Sequence, residues 1–249
     1  PFAAARALVA LVAMILAALA PAKGHAGDKI YSPVVEQGEW ELETRFLFSH
    51  DRNPALNGDT NHVFELGYGA TSYWSTALLL EYERSPGESG KLTHAAWENV
   101  FQLTPPGKYW LDVGAYIELE KGLHGEPNEI ETKILLEKEF YDWVATTNII
   151  FKKNISGDEG RAVEFGYDWR IKYVLSPKLA VGIEGYSQLG ELADLSPRSA
   201  QYHTLGPAIL GRLPLGAGHI RYDLAYLRGL TSSTPRSSFQ INLEYELRF

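Results

Sequence analysis

The chain has no cysteine, one methionine and a single long apolar run in 249 residues. Without cysteine there is no disulfide framework, no thiolate metal site and no cysteine nucleophile. The apolar run, Ala7 to Ala20, is the only one approaching membrane-helix length, which excludes a bundle of membrane helices. Basic residues are scarce as well. The 23 Lys and Arg face 31 Asp and Glu, giving a net charge of −8 and a pI of about 5.4. A nucleic-acid binder needs a basic face, so no nucleic-acid partner is expected. Aromatic residues are plentiful: 14 Tyr, 10 Phe and 6 Trp. A mean hydropathy of −0.19 with 45% hydrophobic residues would suit a soluble chain of one or two domains. The order of the residues argues against that reading.

Residues 1–26 have the layout of a secretory signal peptide. Arg6 supplies a positive start, Ala7 to Ala20 an apolar stretch, and Gly24-His25-Ala26 small residues at a cleavage site. The stretch is too short to span ~30 Å of hydrocarbon comfortably. Cleavage after Ala26 removes Arg6 and Lys23 and no acid, leaving 21 bases against 31 acids, a net charge of −10. Residues 27–37 read as a short periplasmic lead, and 38–249 as one transmembrane barrel.

The basis for the barrel is alternation. From Val163 to Tyr173, Val163, Phe165, Tyr167, Trp169, Ile171 and Tyr173 share one face, while Glu164, Asp168, Arg170 and Lys172 share the other. A period of two means strand, because successive side chains point to opposite sides. The chain end repeats the pattern, with Phe239, Ile241, Leu243, Tyr245, Leu247 and Phe249 opposing Gln240, Asn242, Glu244, Glu246 and Arg248. Twelve such stretches are predicted, at 38–49, 60–70, 73–84, 92–104, 108–120, 129–140, 143–153, 161–174, 178–188, 200–212, 218–229 and 237–249. The seventh is blurred by Thr146, Thr147 and Asn148; ten or fourteen strands are the neighbouring counts. Pro207, inside the tenth, should mark a bulge or a locally missing ladder bond. Connections alternate between long polar loops and tight turns such as Thr71-Ser72 and Tyr141-Asp142, as in a transmembrane barrel, and an even strand count puts both termini on the short-turn side.

A soluble β-sandwich could alternate too, but two details separate the cases. Trp40, Tyr73, Trp74, Tyr109, Trp110, Tyr141, Trp143 and Tyr173 gather near the short-turn side, as an interfacial girdle would. The last strand stops at Phe249. In these features the chain resembles Gram-negative outer-membrane β-barrel proteins, of the porin-like, small monomeric channel or transporter type. The resemblance implies an all-β, closed, antiparallel up-and-down barrel in the outer membrane, surrounded by lipid and lipopolysaccharide, with both termini periplasmic. It also implies that the barrel-assembly machinery reads the C-terminal strand through Phe249.

In such a barrel the polar faces line the lumen. They carry eighteen acids and eight bases, an imbalance that would attract cations and repel anions. The predicted pore-lining residues are Arg45, Glu81, Glu98, Asp112, Glu118, Asp168, Arg170, Lys172, Arg221, Asp223 and Glu244. Arg45 and Glu244 are expected to pair across the seam between first and last strands. Glu81, Glu98, Asp168, Arg170, Arg221 and Asp223 are expected to form a constriction near that level. The function expected is a passive channel for small solutes or cations, without a cofactor. Its alternatives are a structural or partner-binding barrel with no open pore, and a rim-located lipid hydrolase. For the last, Ser and His residues are present at the long-loop side, but none has recognisable motif spacing. His50, His62 and His124 are weak candidates for a metal-capture patch at that rim.

Overall fold

The computed structural model describes residues 29–157 and 162–248. The signal-peptide segment 1–26 and the terminal Phe249 lie outside the described residues. There are thirteen strands: β1 (Glu39–His50), β2 (Thr60–Gly69), β3 (Trp74–Arg84), β4 (Lys91–Gln102), β5 (Asp112–Gly122), β6 (Glu129–Phe140), β7 (Trp143–Asn154), β8 (Val163–Ser176), β9 (Leu179–Glu191), β10 (Asp194–Leu195), β11 (Tyr202–Leu215), β12 (Gly218–Gly229) and β13 (Ser237–Arg248). All but β10, a two-residue extension paired to β9, belong to the barrel wall. Every wall strand pairs antiparallel with its sequence neighbours, and β13 returns to β1 through an unbroken register from Glu39 opposite Arg248 to His50 opposite Ser237. The result is a closed twelve-strand barrel.

Alternation sorts the side chains as the sequence requires. Leu66, Leu78, Leu80, Ile183, Ile209 and Phe239 are exposed on the outer face, while Glu43, Glu65, Asn148, Asp168, Glu184 and Glu246 are buried inside. This arrangement inverts that of a soluble barrel and suits a hydrocarbon surround. The seventh predicted strand is a full wall strand. β5 begins four residues later than expected, because the turn after Thr104 runs on: Lys108 N donates to the Pro105 carbonyl, and Gly107 N donates to Asp112 Oδ1 at 2.8 Å. Tyr109 and Trp110 therefore sit on the turn, exposed. At Pro207 the register with β12 is interrupted between Leu205 and Ala208 without a shift, so the proline costs ladder bonds and makes no bulge.

The turn Tyr141-Asp142 joins the pair Phe140 and Trp143. A two-residue hairpin of this hand needs a positive φ at its first central residue, and Tyr141 supplies one of 51°. Asp142 holds the turn in place, its carbonyl accepting from Val174 N at 2.8 Å and its carboxylate from Tyr173 OH at 3.2 Å. At the other rim, Asp51 ties the first and last loops together. It accepts from Asn53 N at 2.6 Å and Arg236 N at 2.7 Å, and these backbone donors hold its carboxyl below the usual range.

Leu224, at the middle of β12, faces outward. Leu224→Arg should destabilise the barrel in lipid vesicles by about 2–4 kcal/mol, read from the shift of the urea unfolding curve. A change within error would mean that this face does not meet hydrocarbon.

Candidate functional site

The sequence placed residues 27–37 below the barrel; the described part enters it. Residues 29–35 lie inside the lumen, running from mid-strand level down toward the short-turn end. The Tyr31 backbone makes two hydrogen bonds with the Asn148 amide: Tyr31 N donates to Oδ1 at 2.7 Å, and Nδ2 donates to the Tyr31 carbonyl at 2.9 Å. The Tyr31 hydroxyl donates to Glu98 Oε2 at 2.7 Å and accepts from Arg45 Nη1 at 3.1 Å. Its ring packs on Tyr116, 4.7 Å between centroids, with Val100 and Leu135. Ile30 is buried among Ala180, Tyr186, Ala208 and Leu210. Lower down, Ser32 Oγ donates to Glu137 Oε1 at 3.0 Å and Val35 N to Gln102 Oε1 at 3.0 Å. Gly114 makes room for the segment, since a Cβ there would lie 2.9 Å from the Pro33 Cβ.

The segment also brings charge. Lys29 Nζ pairs with Glu43, and lies 3.5 Å from Glu244 and 3.8 Å from Glu65. Arg45 pairs with Glu65 at 3.0 Å and lies 3.6 Å from Glu43. The expected Arg45–Glu244 pair is absent. The closure register sets Arg45 opposite Asn242 and Glu43 opposite Glu244. Glu244 turns instead to Arg221 at 3.1 Å and to Lys29. Counting from strand ends missed this because it ignored the cation brought in by residue 29.

The six residues expected to form one constriction divide among several clusters. Arg170 does join Asp223, and also Glu184 at 2.5 Å. Arg221 belongs with Glu244 and Glu246. Glu98 serves the two tyrosines, with Tyr116 OH 3.2 Å away. Glu81 bonds His94 Nδ1 at 3.1 Å and Asn61 Nδ2 at 2.6 Å. Asp168 is buried on β8. Of the other pore-lining residues, Glu118 accepts from Tyr116 OH, Lys172 lines a cavity at the short-turn side, and Asp112 is taken up by the turn at Gly107 rather than by a constriction. Lys29, Tyr31 and Asn148 were not foreseen as site residues, and Glu184 was counted among the eighteen lumen acids without being singled out. Of the unforeseen three, only Asn148 could have been signalled, through its inward parity.

Cavities lie along the interior, and three bordered by described residues mark its course. One of about 280 Å³ at the short-turn end is bordered by Lys29, Arg170, Lys172 and Asp223. One of about 60 Å³ surrounds Tyr31, Arg45, Glu118 and Lys133. One of about 220 Å³ toward the long loops is bordered by Glu83, Glu129, Lys152 and Glu164. Lys29 borders both the first and the second, and Tyr31 borders the second.

The rim histidines do not converge. His62 lies on the outer face between Phe46 and Phe64, with ring centroids 5.5 and 4.4 Å away, and its Nε2 is 2.9 Å from Thr44 Oγ1. His124 Nδ1 bonds the Leu92 carbonyl at 3.0 Å, and His50 ends β1. The metal-capable side chains that the barrel does bring together are Glu81, His94 and Glu120. A Ser–His pair also forms at the long-loop rim. Ser187 and His203 are opposite each other on β9 and β11, on the outer face. Ser187 Oγ is 2.9 Å from His203 Nδ1, and His203 Nε2 is 2.8 Å from Gln201 Oε1. Because Gln201 Nε2 donates to the Ser196 carbonyl at 2.7 Å, the amide oxygen faces the ring. His203 therefore carries its proton on Nε2 and accepts from Ser187 through Nδ1.

No protein-family model matches the sequence, and no curated protein matches it. Solved structures do. An outer-membrane channel from Pseudomonas putida F1 superposes with a TM-score of 0.62 at 13% identity, over 89% of this chain and 99% of that one. The outer membrane protein Omp33 of Acinetobacter baumannii gives 0.44 at 12% identity, over 86% and 100%. OprD of Pseudomonas aeruginosa gives 0.42 at 11%, over 85% and 67%. The fold is that of Gram-negative outer-membrane β-barrels.

Arg170 is the one base seen bridging Glu184, which is fully buried, and Asp223. Removing it leaves Glu184 without its paired base and Asp223 with only Lys172 across the cavity. Arg170→Met should cost about 3 kcal/mol in urea unfolding at neutral pH. A neutral effect would show that water, not Arg170, solvates the pair.

Proposed function

We propose that this chain is an outer-membrane channel passing small cations or small cationic solutes through its lumen, with residues 29–35 as the constriction. What supports this reading is the crowding of carboxylates at mid-lumen. Glu43, Glu65, Glu98, Glu118, Glu120 and Glu131 crowd the middle of the lumen around Lys29, Arg45, Lys133 and Lys152. In a water-excluded or narrow passage such a surplus of carboxylates favours cations over anions. A twelve-strand wall is also wider than the eight-strand barrels that side chains alone can fill, which leaves room for both the segment and water. On this reading both termini are periplasmic, the long loops face the lipopolysaccharide, and Phe249 addresses the barrel-assembly machinery.

The Ser187–His203–Gln201 chain favours a second reading, a lipid hydrolase working at the outer rim. A serine hydroxyl donating to a neutral imidazole, itself oriented by a third group, is the arrangement that activates a nucleophile. Against it, both Ser187 and His203 are buried, with no cavity beside them among those described above. A structural barrel without an open pore is what remains if neither activity is found.

Single-channel recording in planar bilayers tests the first reading. Reversal potentials under a KCl gradient should show cation preference, and Tyr31→Ala should raise conductance by removing the ring and hydroxyl from mid-lumen. Anion preference, or silence of both proteins, would remove the channel reading. For the second, release of fatty acid from phospholipid micelles should fall to background in Ser187→Ala. Equal release from the variant, or none from the unaltered protein, ends the hydrolase reading.

A further inference from the structure

His94 owes its position to a bulge. Glu81 is opposite His94, but Tyr82 is opposite Leu92, so Thr93 is the extra residue on β4. A bulge bends its strand and re-aims the side chains beside it. Here it leaves Thr93 and His94 both buried in succession, with the imidazole reaching the borders of both the 60 Å³ and the 220 Å³ cavities. The ring is 9% exposed as a residue, and its Nε2 has no hydrogen-bond partner. An orphaned, buried ring nitrogen costs free energy unless something occupies it.

The surroundings indicate what that occupant is. Glu81 Oε2 accepts the Nδ1 proton at 3.1 Å, so the Nε2 lone pair is free to bind an electrophile. Asn61 Nδ2 holds the other oxygen of Glu81 at 2.6 Å. One ligand atom each from Glu81, His94 and Glu120 lies within 4.8 Å of the other two. A carboxylate that fixes the tautomer of a histidine is the usual support of a metal-bound imidazole. One imidazole nitrogen and the Glu120 carboxylate suit a divalent ion of borderline softness, with water completing the shell. The competing cation is Lys152, whose Nζ is 3.0 Å from Glu120 Oε1 and also contacts Glu129 Oε2 at 2.5 Å. It can release Glu120 and stay paired with Glu129.

We propose that His94, through Nε2, and Glu120 form a binding site for a divalent transition-metal ion of the Zn²⁺ class, with Glu81 holding the imidazole from its Nδ1 side, and that the site is reached from the long-loop cavity. The site does not depend on conduction, since an ion can enter from that cavity whether or not the lumen continues past Tyr31.

The test uses the whole protein without a polyhistidine tag, folded in detergent micelles, stripped with EDTA and titrated with Zn²⁺ by calorimetry at neutral pH. One saturable site is expected. His94→Gln should weaken it at least about tenfold, on the scale seen when a metal shell is disturbed. Lys152→Met should tighten it, because the resident cation is gone. Heat-modifiable gel mobility confirms that each variant is folded. A flat titration of the unaltered protein, equal affinity in His94→Gln, or weaker binding in Lys152→Met would each overturn the site. Should His94→Gln fail to fold, the Lys152→Met titration decides alone: tightening supports the site, and no change overturns it. A barrel that binds Zn²⁺ but passes no current would remove the channel reading and leave this site standing.

Discussion

A backbone surrounded by hydrocarbon has to satisfy every N–H and C=O within the protein. In this chain that requirement falls on the pairing of β1 with β13, which joins residues about two hundred positions apart in an unbroken register. Without it two edges would be open to lipid. With it, each wall strand has partners on both sides, and inside and outside become separate environments. The alternation of side chains then sorts most apolar groups outward and most polar ones inward, with inward exceptions such as Leu135 and Leu210 that pack against residues 30 and 31 and outward ones such as His62 and Ser187.

Closure also creates the central electrostatic problem. Pointing the polar face of twelve strands at one interior concentrates carboxylates where few bases face them. The barrel answers in three ways. Lysines and arginines are shared among acids, as Arg170 is between Glu184 and Asp223 and Arg45 between Glu65 and Glu43. Tyrosine hydroxyls donate to glutamates, as Tyr31 does to Glu98 and Tyr116 to Glu118. And residues 29–35 enter from one end, carrying Lys29 into the Glu43, Glu65 and Glu244 group. The same segment narrows the lumen, so charge compensation and constriction are two effects of one insertion.

The strands were legible because a period of two is local and needs only a few neighbouring residues. Eleven of the twelve expected stretches begin within two residues of the observed wall strands, and the exception, β5, was delayed by a turn that two prolines and Gly107 prolonged. Tyr141 shows the opposite limit. A positive φ at tyrosine is not suggested by composition, and it arises from the tight pairing of Phe140 with Trp143. Among candidate site residues, inward parity placed Glu81, Glu98, Asp168, Arg170 and Asp223 on the correct face. It could not say which would meet, because height in a tilted barrel depends on the register of every strand between. The three rim histidines illustrate this: they share a rim in sequence terms and nothing in space.

By itself the sequence determined the fold class and which side chains of each strand share a face, and it brought the strand count close to twelve, since all three follow from local alternation and from which residues occupy it. Only the tertiary structure decided that residues 29–35 lie inside, that Arg45 turns to Glu65 while Glu244 turns to Lys29, that a bulge at Thr93 sets His94 beside Glu81, and that Ser187 meets His203. Each of these depends on partners far apart in the chain, brought together by strand register and by the volume left inside a closed wall. Neither quantity is carried by any short stretch of residues.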